Sequence, residues 1–259
     1  MKKLGAEEQV RTPWITVLIG FVAVWLVLDR LAALLGSVRG EAGVVVCLAV
    51  VAAACLVEVV LFRRTPGEAL RFLGFGRPTG ASLTFALALA AALLAFYPLF
   101  SAVTGAPITL RDDWPWLSIG LFAQGGIAEE VVFRGYLFHH IREGRSFWRA
   151  AALSTLPFVA VHLSFFVSMS FPIALTAVLI SLVLSLPFAY LFDRGVNTIW
   201  AAAIVHCVVQ GSIKLVEVPE QAYLSLAVLW MIVSALAPYL VFVLLLARVS
   251  WLHRAPQAG

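Results

Sequence analysis

Two adjacent carboxylates and an arginine lie in the stretch "GGIAEEVVFRGYLFHH", residues 125–140, whose other residues are mostly apolar. These are Glu129, Glu130 and Arg134. Insertion of each such charge at the centre of a bilayer costs roughly 3 kcal/mol. A chain that keeps three of them in one apolar stretch therefore carries a candidate functional site there.

Helical spacing separates the roles of the two carboxylates. Glu130 and Arg134 are four residues apart, so on a helix they share a face and are predicted to pair. Two unpaired carboxylates side by side would repel one another, which would force one of them to keep its proton. Pairing leaves Glu129, about 100° around the helix, free to act as a general base on water.

Two further segments carry histidines with partners one helical turn away. "FVAVH" places Phe158 one turn before His162, and "HCVVQ" places Gln210 one turn after His206. Neutral imidazole and amide groups donate hydrogen bonds that hold a water molecule or an oxyanion. The pattern therefore indicates Glu129 as a base that acts on water, with these groups as candidate donors around it.

The composition identifies lipid as the solvent around this chemistry. The chain has 259 residues, of which 62% are hydrophobic and 12% are charged, and its mean hydropathy is +0.99. Soluble domains carry about 25% charged residues. The sequence therefore predicts an all-α, polytopic transmembrane bundle that forms one membrane domain over residues 1–259, and no charge block suggests nucleic-acid binding. Eight spans are predicted, at 14–35, 43–62, 81–103, 116–138, 148–169, 171–192, 197–216 and 222–247.

The distribution of basic residues predicts the orientation of these spans, because cytoplasmic loops are enriched in lysine and arginine. With the N-terminus in the cytoplasm, the outer segments hold only four basic residues, which are Arg30, Arg39, Arg111 and Lys214. The inner segments hold thirteen, which are Lys2, Lys3, Arg11, Arg63, Arg64, Arg71, Arg77, Arg142, Arg145, Arg149, Arg194, Arg248 and Arg254. Both termini are therefore predicted to be cytoplasmic, which also accounts for the pI of about 9.2.

Depth in the membrane links the candidate residues. Glu129 and His162 each lie about 20 Å from one end of their predicted spans, and His206 about 14 Å, at 1.5 Å per residue. Three helices thus deliver titratable groups to the middle third of the bilayer, so we expect these groups to converge. The core that carries these residues is predicted at about 116–216.

Other polar residues receive structural interpretations. Glu58 is expected to reach water from a span end, and His139, His140 and His253 are expected at the cytoplasmic boundary. The stretch 63–80 is too polar to span and is predicted to lie at the interface. Its apolar residues Leu70, Phe72, Leu73 and Phe75 are expected to face inward.

The three motifs resemble the CPBP family of intramembrane proteases. "EEVVFR" matches EExxxR, "FVAVH" matches FxxxH, and "HCVVQ" resembles the family's last motif. The family includes the CAAX prenyl endopeptidases and the bacterial Abi, or bacteriocin-immunity, proteins. The matching residues lie within 129–210, about a third of the chain.

The resemblance implies an intramembrane endopeptidase that hydrolyses membrane-associated peptides or proteins. It casts Glu129 as the base, Glu130 and Arg134 as its support, and His162 and His206 as groups that orient water or stabilise the oxyanion. The family usually has asparagine or aspartate at the position of Gln210. Glutamine keeps the amide but lengthens its reach by about one C–C bond.

The role of a metal stays open at this stage. Glu129, His162 and His206 would form a His₂Glu set suited to catalytic zinc, but the sequence has no HExxH helix. Activation of water by glutamate with no required cofactor is favoured, and zinc is the alternative.

Two other functions are compatible with the residues. One is a non-catalytic membrane immunity or scaffold protein, and the other is a proton-coupled transporter, because membrane Glu and His also form proton relays. The expected surroundings are a peptide or protein substrate and the lipid of a bacterial plasma membrane. The sequence does not specify an oligomeric state.

Overall fold

The computed structural model describes residues 14–35 and 40–252, with side chains as far as Leu245. His253, predicted at the cytoplasmic boundary, and the basic residues near both termini lie outside this range. The described chain is almost wholly helical, which confirms the predicted all-α class. Twelve α-helices run through it: α1 Trp14–Leu35, α2 Glu41–Phe62, α3 Pro66–Leu70, α4 Gly80–Leu94, α5 Phe96–Thr104, α6 Trp114–Leu121, α7 His139–Arg142, α8 Phe147–His162, α9 Phe165–Ser168, α10 Phe171–Arg194, α11 Trp200–Gly211 and α12 Glu220–Leu252.

Shorter elements complete the described chain. A π-helical turn follows α3, two more lie between α6 and α7, and a 3₁₀ turn follows α11. Strands β1 and β2 pair as an antiparallel ribbon. The bounds are Arg71–Phe75, Phe122–Ala128 and Val131–Phe138 for the π turns, Ser212–Lys214 for the 3₁₀ turn, Thr109–Leu110 for β1 and Val216–Glu217 for β2.

Six helical segments of the described chain are long and apolar enough to cross a membrane. They correspond to six of the eight predicted spans. These segments are Trp14–Leu35, Glu41–Phe62, Gly80–Thr104, Phe147–Ser168, Phe171–Arg194 and Glu220–Leu245. The chain is therefore an integral membrane protein.

The two remaining predicted spans are the ones that carry most of the candidate site. The segment 114–142 is helical throughout, but it is divided into α and π turns and contains the charged motif. Helix α11 has 12 residues, about 18 Å, which is too short to cross a 30 Å hydrocarbon core alone. The predicted count of eight spans is thus approximate. The prediction assumed that every span is one continuous apolar helix, and these two segments are not.

The bundle has two ends, the strap end and the ribbon end. The strap end carries residues 65–76, called the strap, which joins α2 to α4. The ribbon end carries β1 and β2. The segment 114–142 runs from the ribbon end to the strap end, and α11 runs in the opposite direction, so their midpoints lie at similar depth.

The strap is held to both segments that carry the candidate site. Thr65 and Glu68 form a capping box that starts α3. Further along, Gly74 carbonyl oxygen accepts a hydrogen bond from the backbone N–H of Ile199 at 3.1 Å. Leu73 is fully buried within the protein, whereas Leu70 is exposed on its surface. The interfacial placement of this stretch stays a prediction.

Two buried clusters of apolar side chains lie side by side. The first joins α1, α2 and α8 around the segment 114–142, and the second joins α4, α5, α10 and α12 around α11. The segment that carries the candidate carboxylates packs in the first cluster, and α11, which carries His206, packs in the second. The site therefore lies where the two clusters meet.

Gly135 allows the strap to approach the segment 114–142 closely. A Cβ atom at Gly135 would overlap the carbonyl oxygen of Leu73, which is backbone and cannot rotate away. We expect Gly135→Ala to destabilise the fold by about 1–3 kcal/mol, the usual range for overpacking. Thermal unfolding in detergent micelles measures this loss.

Gly80→Ala is the matched control, because a Cβ at Gly80 meets no atom within 4 Å. It adds the same methyl group to a glycine at the start of α4 and should leave the unfolding temperature unchanged or slightly raised. Equal unfolding temperatures of the two variants would contradict the close approach of the strap to Gly135.

Candidate active site

Both candidate glutamates lie between two π turns of the segment 114–142. The turns Phe122–Ala128 and Val131–Phe138 flank Glu129 and Glu130 directly. π turns occur most often at functional positions in helices, because the extra residue re-aims side chains. Small residues permit this winding, and Gly126 lies against the Ala203 carbonyl oxygen of α11. Close helix contact brings the carboxylates next to α11.

Glu130 is the centre of a buried ionic cluster. Its Oε1 atom accepts hydrogen bonds from Arg134 Nη1 at 3.0 Å and from His206 Nδ1 at 2.6 Å. The Glu130 side chain has no exposed surface, and the two donors neutralise a charge that would otherwise be costly to bury. The i to i+4 pairing of Glu130 with Arg134 is as predicted, and the bond to His206 adds a second helix to it.

Aromatic rings enclose the guanidinium of Arg134. Its central carbon lies 4.6 Å from the ring centroid of Phe158 and 5.1 Å from that of Phe188. Such cation–π contacts partly offset desolvation of the charge. Phe158, which the sequence places one turn before His162, therefore supports Arg134, and Phe188 of α10 was not identified from the sequence.

Glu129 lies on the other side of the same imidazole. Its Oε2 atom is 3.6 Å from His206 Nε2, and its Oε1 accepts a hydrogen bond from Gln210 Nε2 at 3.2 Å. The side chain is 16% exposed, in contrast to the fully buried Glu130. His206 thus lies between two carboxylates, with one ring nitrogen directed at each.

The tautomer of His206 follows from this arrangement. Nδ1 must carry a hydrogen to bond the Glu130 carboxylate, so in the neutral ring Nε2 has a lone pair. The same logic applies to His162, whose Nδ1 donates to the Phe158 carbonyl oxygen at 2.7 Å. In their neutral forms both histidines therefore offer an acceptor, which suits orientation of a water molecule rather than stabilisation of an oxyanion.

The structure brings the predicted site residues together to different degrees. Glu129, Glu130, Arg134, His206 and Gln210 form one chain of hydrogen bonds and close ionic contacts. His162 joins it by no hydrogen bond, although Glu129 and His206 are near enough to act on it electrostatically. Its ring contacts Phe158 and Phe165 instead.

Gln210 contacts both the base and its flanking glycine. One N–H of its amide donates a hydrogen bond to Glu129, and its Oε1 atom lies against Gly125, where a Cβ would overlap it. The extra methylene of glutamine allows this reach. One N–H of the Gln210 amide stays available for a further acceptor.

The zinc set of Glu129, His162 and His206, which is the alternative to metal-free activation of water, is not assembled in the described structure. No group of three His, Cys, Asp or Glu side chains in residues 14–35 and 40–245 is arranged to hold a metal ion. His162 instead hydrogen-bonds the Phe158 carbonyl oxygen and contacts the ring of Phe165.

The structure contains a second buried ionic cluster that was not predicted from the sequence. Glu58, expected to reach water, is fully buried and accepts hydrogen bonds from Arg64 and, at 2.8 Å, from His140 Nε2. His140, expected at the interface, is also buried and stacks on Phe62 with ring centroids 4.1 Å apart. The i to i+6 spacing of Glu58 and Arg64 is not a helical pair, and Arg63 interrupts the helix with φ of 56°. Helical periodicity in the sequence does not predict this left-handed turn, so the contact of Arg64 with Glu58 could not be predicted from it.

The pairing of Glu130 with Arg134 yields a stability prediction. Arg134→Met would leave a buried carboxylate with one donor, so we expect it to lower the free energy of unfolding by about 3–5 kcal/mol. Chemical denaturation in mixed micelles measures the change.

The double variant Glu130→Leu/Arg134→Met tests the cause of that loss. It removes both charges, so its loss of unfolding free energy should be smaller than the sum of the losses of Glu130→Leu and Arg134→Met measured singly. Additive losses would mean that the two side chains do not stabilise one another.

Comparison with known proteins agrees with the motifs. Residues 111–212 match the family model described as type II CAAX prenyl endopeptidase Rce1-like. The matched segment contains all six predicted site residues. No curated protein matches the chain. Through residues 111–212 the chain matches the Rce1-like type II CAAX prenyl endopeptidase family, in agreement with the CPBP/CAAX protease resemblance of its motifs.

Proposed function

We propose that the protein is an intramembrane endopeptidase in which Glu129 activates a water molecule for attack on a peptide bond. The observation that carries this proposal is the position of His206 between Glu129 and Glu130, 3.6 Å and 2.6 Å from the two carboxylates. The family match over residues 111–212 supports protease chemistry. The partial exposure of Glu129 is consistent with a group that meets water and substrate.

The proposed reaction begins with water hydrogen-bonded to the Glu129 carboxylate. Glu129 takes one proton as the water oxygen forms a bond to the substrate carbonyl carbon, and the carbonyl oxygen becomes an oxyanion. The C–N bond then breaks and the leaving nitrogen receives the proton from Glu129. Atoms balance, because water supplies the hydroxyl of the new acid and the hydrogen of the new amine.

The other residues assist this sequence by position and charge. Glu130, held by Arg134, fixes the tautomer of His206. The lone pair on Nε2 then accepts a hydrogen bond from the attacking water or from the proton that Glu129 has taken up. His162 acts as a second acceptor that orients water. The remaining N–H of Gln210 is the proposed donor to the oxyanion.

Buried atoms with no protein partner support a hydrated site. Oε2 of Glu130 and Nη2 of Arg134 are buried and make no hydrogen bond within the described part of the chain. Buried polar atoms of this kind are normally satisfied by ordered water. Water close to the two glutamates is what the proposed hydrolysis needs.

Glu129→Gln tests the role of the base. It keeps the size of the side chain and removes the proton acceptor, so we expect cleavage of a membrane peptide to fall by about 10²–10⁴-fold while the protein still inserts and accumulates. The assay uses purified protein in liposomes and a quenched-fluorescent peptide library. Glu41→Gln, which changes an exposed glutamate at the start of α2, is the matched control.

Undiminished cleavage by Glu129→Gln would refute the role given to Glu129. Absence of cleavage by the wild type as well as the variant, with normal physiological activity in cells, would favour the non-catalytic immunity or scaffold function.

A chelator distinguishes activation of water by glutamate alone from activation by a bound zinc ion. We expect cleavage by the purified wild type to persist in 1,10-phenanthroline, because the proposed base acts on water directly. Loss of cleavage that added zinc restores would instead support zinc bound by Glu129, His162 and His206.

The proposed setting is a bacterial plasma membrane with both chain termini in the cytoplasm. The exposed cations Arg63, Arg71 and Arg77 of the strap end would then face anionic headgroups. Labelling of single cysteines at the strap end and the ribbon end from either side of intact cells tests this orientation.

A further inference from the structure

A short motif occurs twice in the chain, once in α8 and once in α10. "TLPF" occupies residues 155–158 and "SLPF" occupies residues 185–188, so each copy is a hydroxyl residue followed by Leu-Pro-Phe. Both prolines lie inside their helices, where a proline removes one backbone hydrogen bond and bends the helix. Because α8 and α10 pack against one another, the two copies can act on the same part of the bundle.

The hydroxyl residues of the two copies join α8 to α10. Thr155 Oγ1 and Ser185 Oγ are 2.7 Å apart, and both side chains are buried. Thr155 donates its one hydroxyl hydrogen to the Ala151 carbonyl oxygen at 2.8 Å, so Ser185 is the donor to Thr155. This bond fixes how α8 and α10 lie along one another. It therefore also sets the relative positions of the two phenylalanines, each of which follows its hydroxyl residue by three positions.

The two phenylalanines of the motif meet at the guanidinium of Arg134, which lies 4.6 Å from the ring of Phe158 and 5.1 Å from that of Phe188. Each ring also contacts one candidate histidine. The ring centroids of Phe158 and His162 are 4.9 Å apart. The centroids of Phe188 and His206 are separated by the same 4.9 Å. Each copy of the motif thus places one aromatic ring against both Arg134 and a different histidine of the site.

The two ring contacts differ in angle. The planes of Phe158 and His162 are at 76°, which is an edge contact, whereas those of Phe188 and His206 are at 31°, closer to parallel. The hydrogen bond from Nδ1 to Glu130 fixes one atom of the His206 ring but leaves the ring able to tilt about that bond. A flat neighbour limits this tilt. The direction of Nε2 therefore depends on Phe188 as well as on Glu130.

Phe192, one turn further along α10, provides an internal comparison. Phe188 and Phe192 are both buried, with 1% and 0% of their surface exposed. The ring of Phe192 contacts Phe138 and His139, which lie outside the candidate site. Burial of a phenylalanine in α10 therefore does not by itself bring a ring into the site. Phe188 differs in that its ring contacts a cation and an imidazole that belong to the site.

From these contacts we infer that Phe188 is a positioning residue: its ring holds the imidazole of His206 in the plane that directs Nε2 at Glu129, and the bond between Thr155 and Ser185 sets its place. This inference rests on the proposed protease function and deepens it, because it adds a residue of α10 to the site. Phe188 acts through His206, since it has almost no exposed surface with which to meet a substrate.

Phe188→Leu tests this role by kinetics. The change removes the flat face and keeps an apolar side chain. We expect kcat for peptide cleavage in liposomes to fall by about 10- to 100-fold, because a misplacement of about 1 Å can cost about 10²-fold. KM should stay unchanged. Where Phe188→Leu does not accumulate, Phe188→Met takes its place, because methionine fills irregular gaps in a core and also lacks a flat face.

Phe192→Leu is the matched control. It makes the same change in the same helix at an equally buried position, so it should cost similar packing. Because the ring of Phe192 contacts no candidate site residue within the described part of the chain, we expect its kcat and KM to match those of the wild type.

NMR of the histidine rings tests the positioning without any cleavage. The protein is labelled with ¹⁵N-histidine in detergent micelles, and the His206 signals are assigned by their loss in His206→Gln. The wild type and Phe192→Leu should show one set of His206 signals, with the hydrogen on Nδ1. In Phe188→Leu these signals should split or broaden, because the ring is no longer held in one plane.

The outcomes separate this inference from the proposed function. Unchanged His206 signals in Phe188→Leu, or an equal loss of kcat in Phe188→Leu and Phe192→Leu, would overturn the positioning role and leave Phe188 as core packing. Absence of cleavage by the wild type would refute the protease function alone. In that case the NMR comparison still decides whether Phe188 orients His206.

Discussion

The buried carboxylate of Glu130 is the constraint on which the site depends. A charge with no exposed surface must be matched by donors, and here one comes from its own helix and one from α11. The donors lie on segments that pack in two different apolar clusters, so the neutralisation of one oxygen also fixes how those clusters meet. The orientation of His206, and with it the surroundings of Glu129, follows from this requirement.

The two glutamates differ because their surroundings differ, although they are neighbours in sequence. Glu130 is enclosed and paired, while Glu129 retains some exposed surface and accepts from Gln210. A helix directs adjacent side chains about 100° apart, so one residue can support the site while the next acts in it. The same separation allows a single imidazole to contact both.

Much of this arrangement was predictable from helical spacing and hydropathy. The pairing of Glu130 with Arg134 is local, and the delivery of His206 to the depth of Glu129 follows from counting residues along apolar segments. The π turns, the shortness of α11 and the link from His206 to Glu130 were not predictable. They depend on backbone departures and on contacts between distant segments, for which hydrophobic periodicity contains no signal.

The cluster of Glu58, Arg64 and His140 illustrates the same limit. Its members lie near span ends, where long polar side chains usually reach water, and the left-handed turn at Arg63 redirects Arg64 back toward Glu58. The strap then covers the cluster, with Phe72 stacked on His139 at a centroid distance of 4.0 Å. The position of a residue along a span predicts its depth in the membrane. It does not predict whether a later segment of the chain will bury that residue.

The paired π turns around the glutamates impose a strict residue count on this part of the chain. A π turn accommodates one residue more than an α turn while the helix on either side keeps its facing, so loss of a single residue from Phe122–Ala128 would restore α winding there. Such a deletion changes no charged group, yet it would remove the bulge in which Gly125 lies against Gln210. Length variation among natural variants should therefore be tolerated in the loops but excluded from this seven-residue turn.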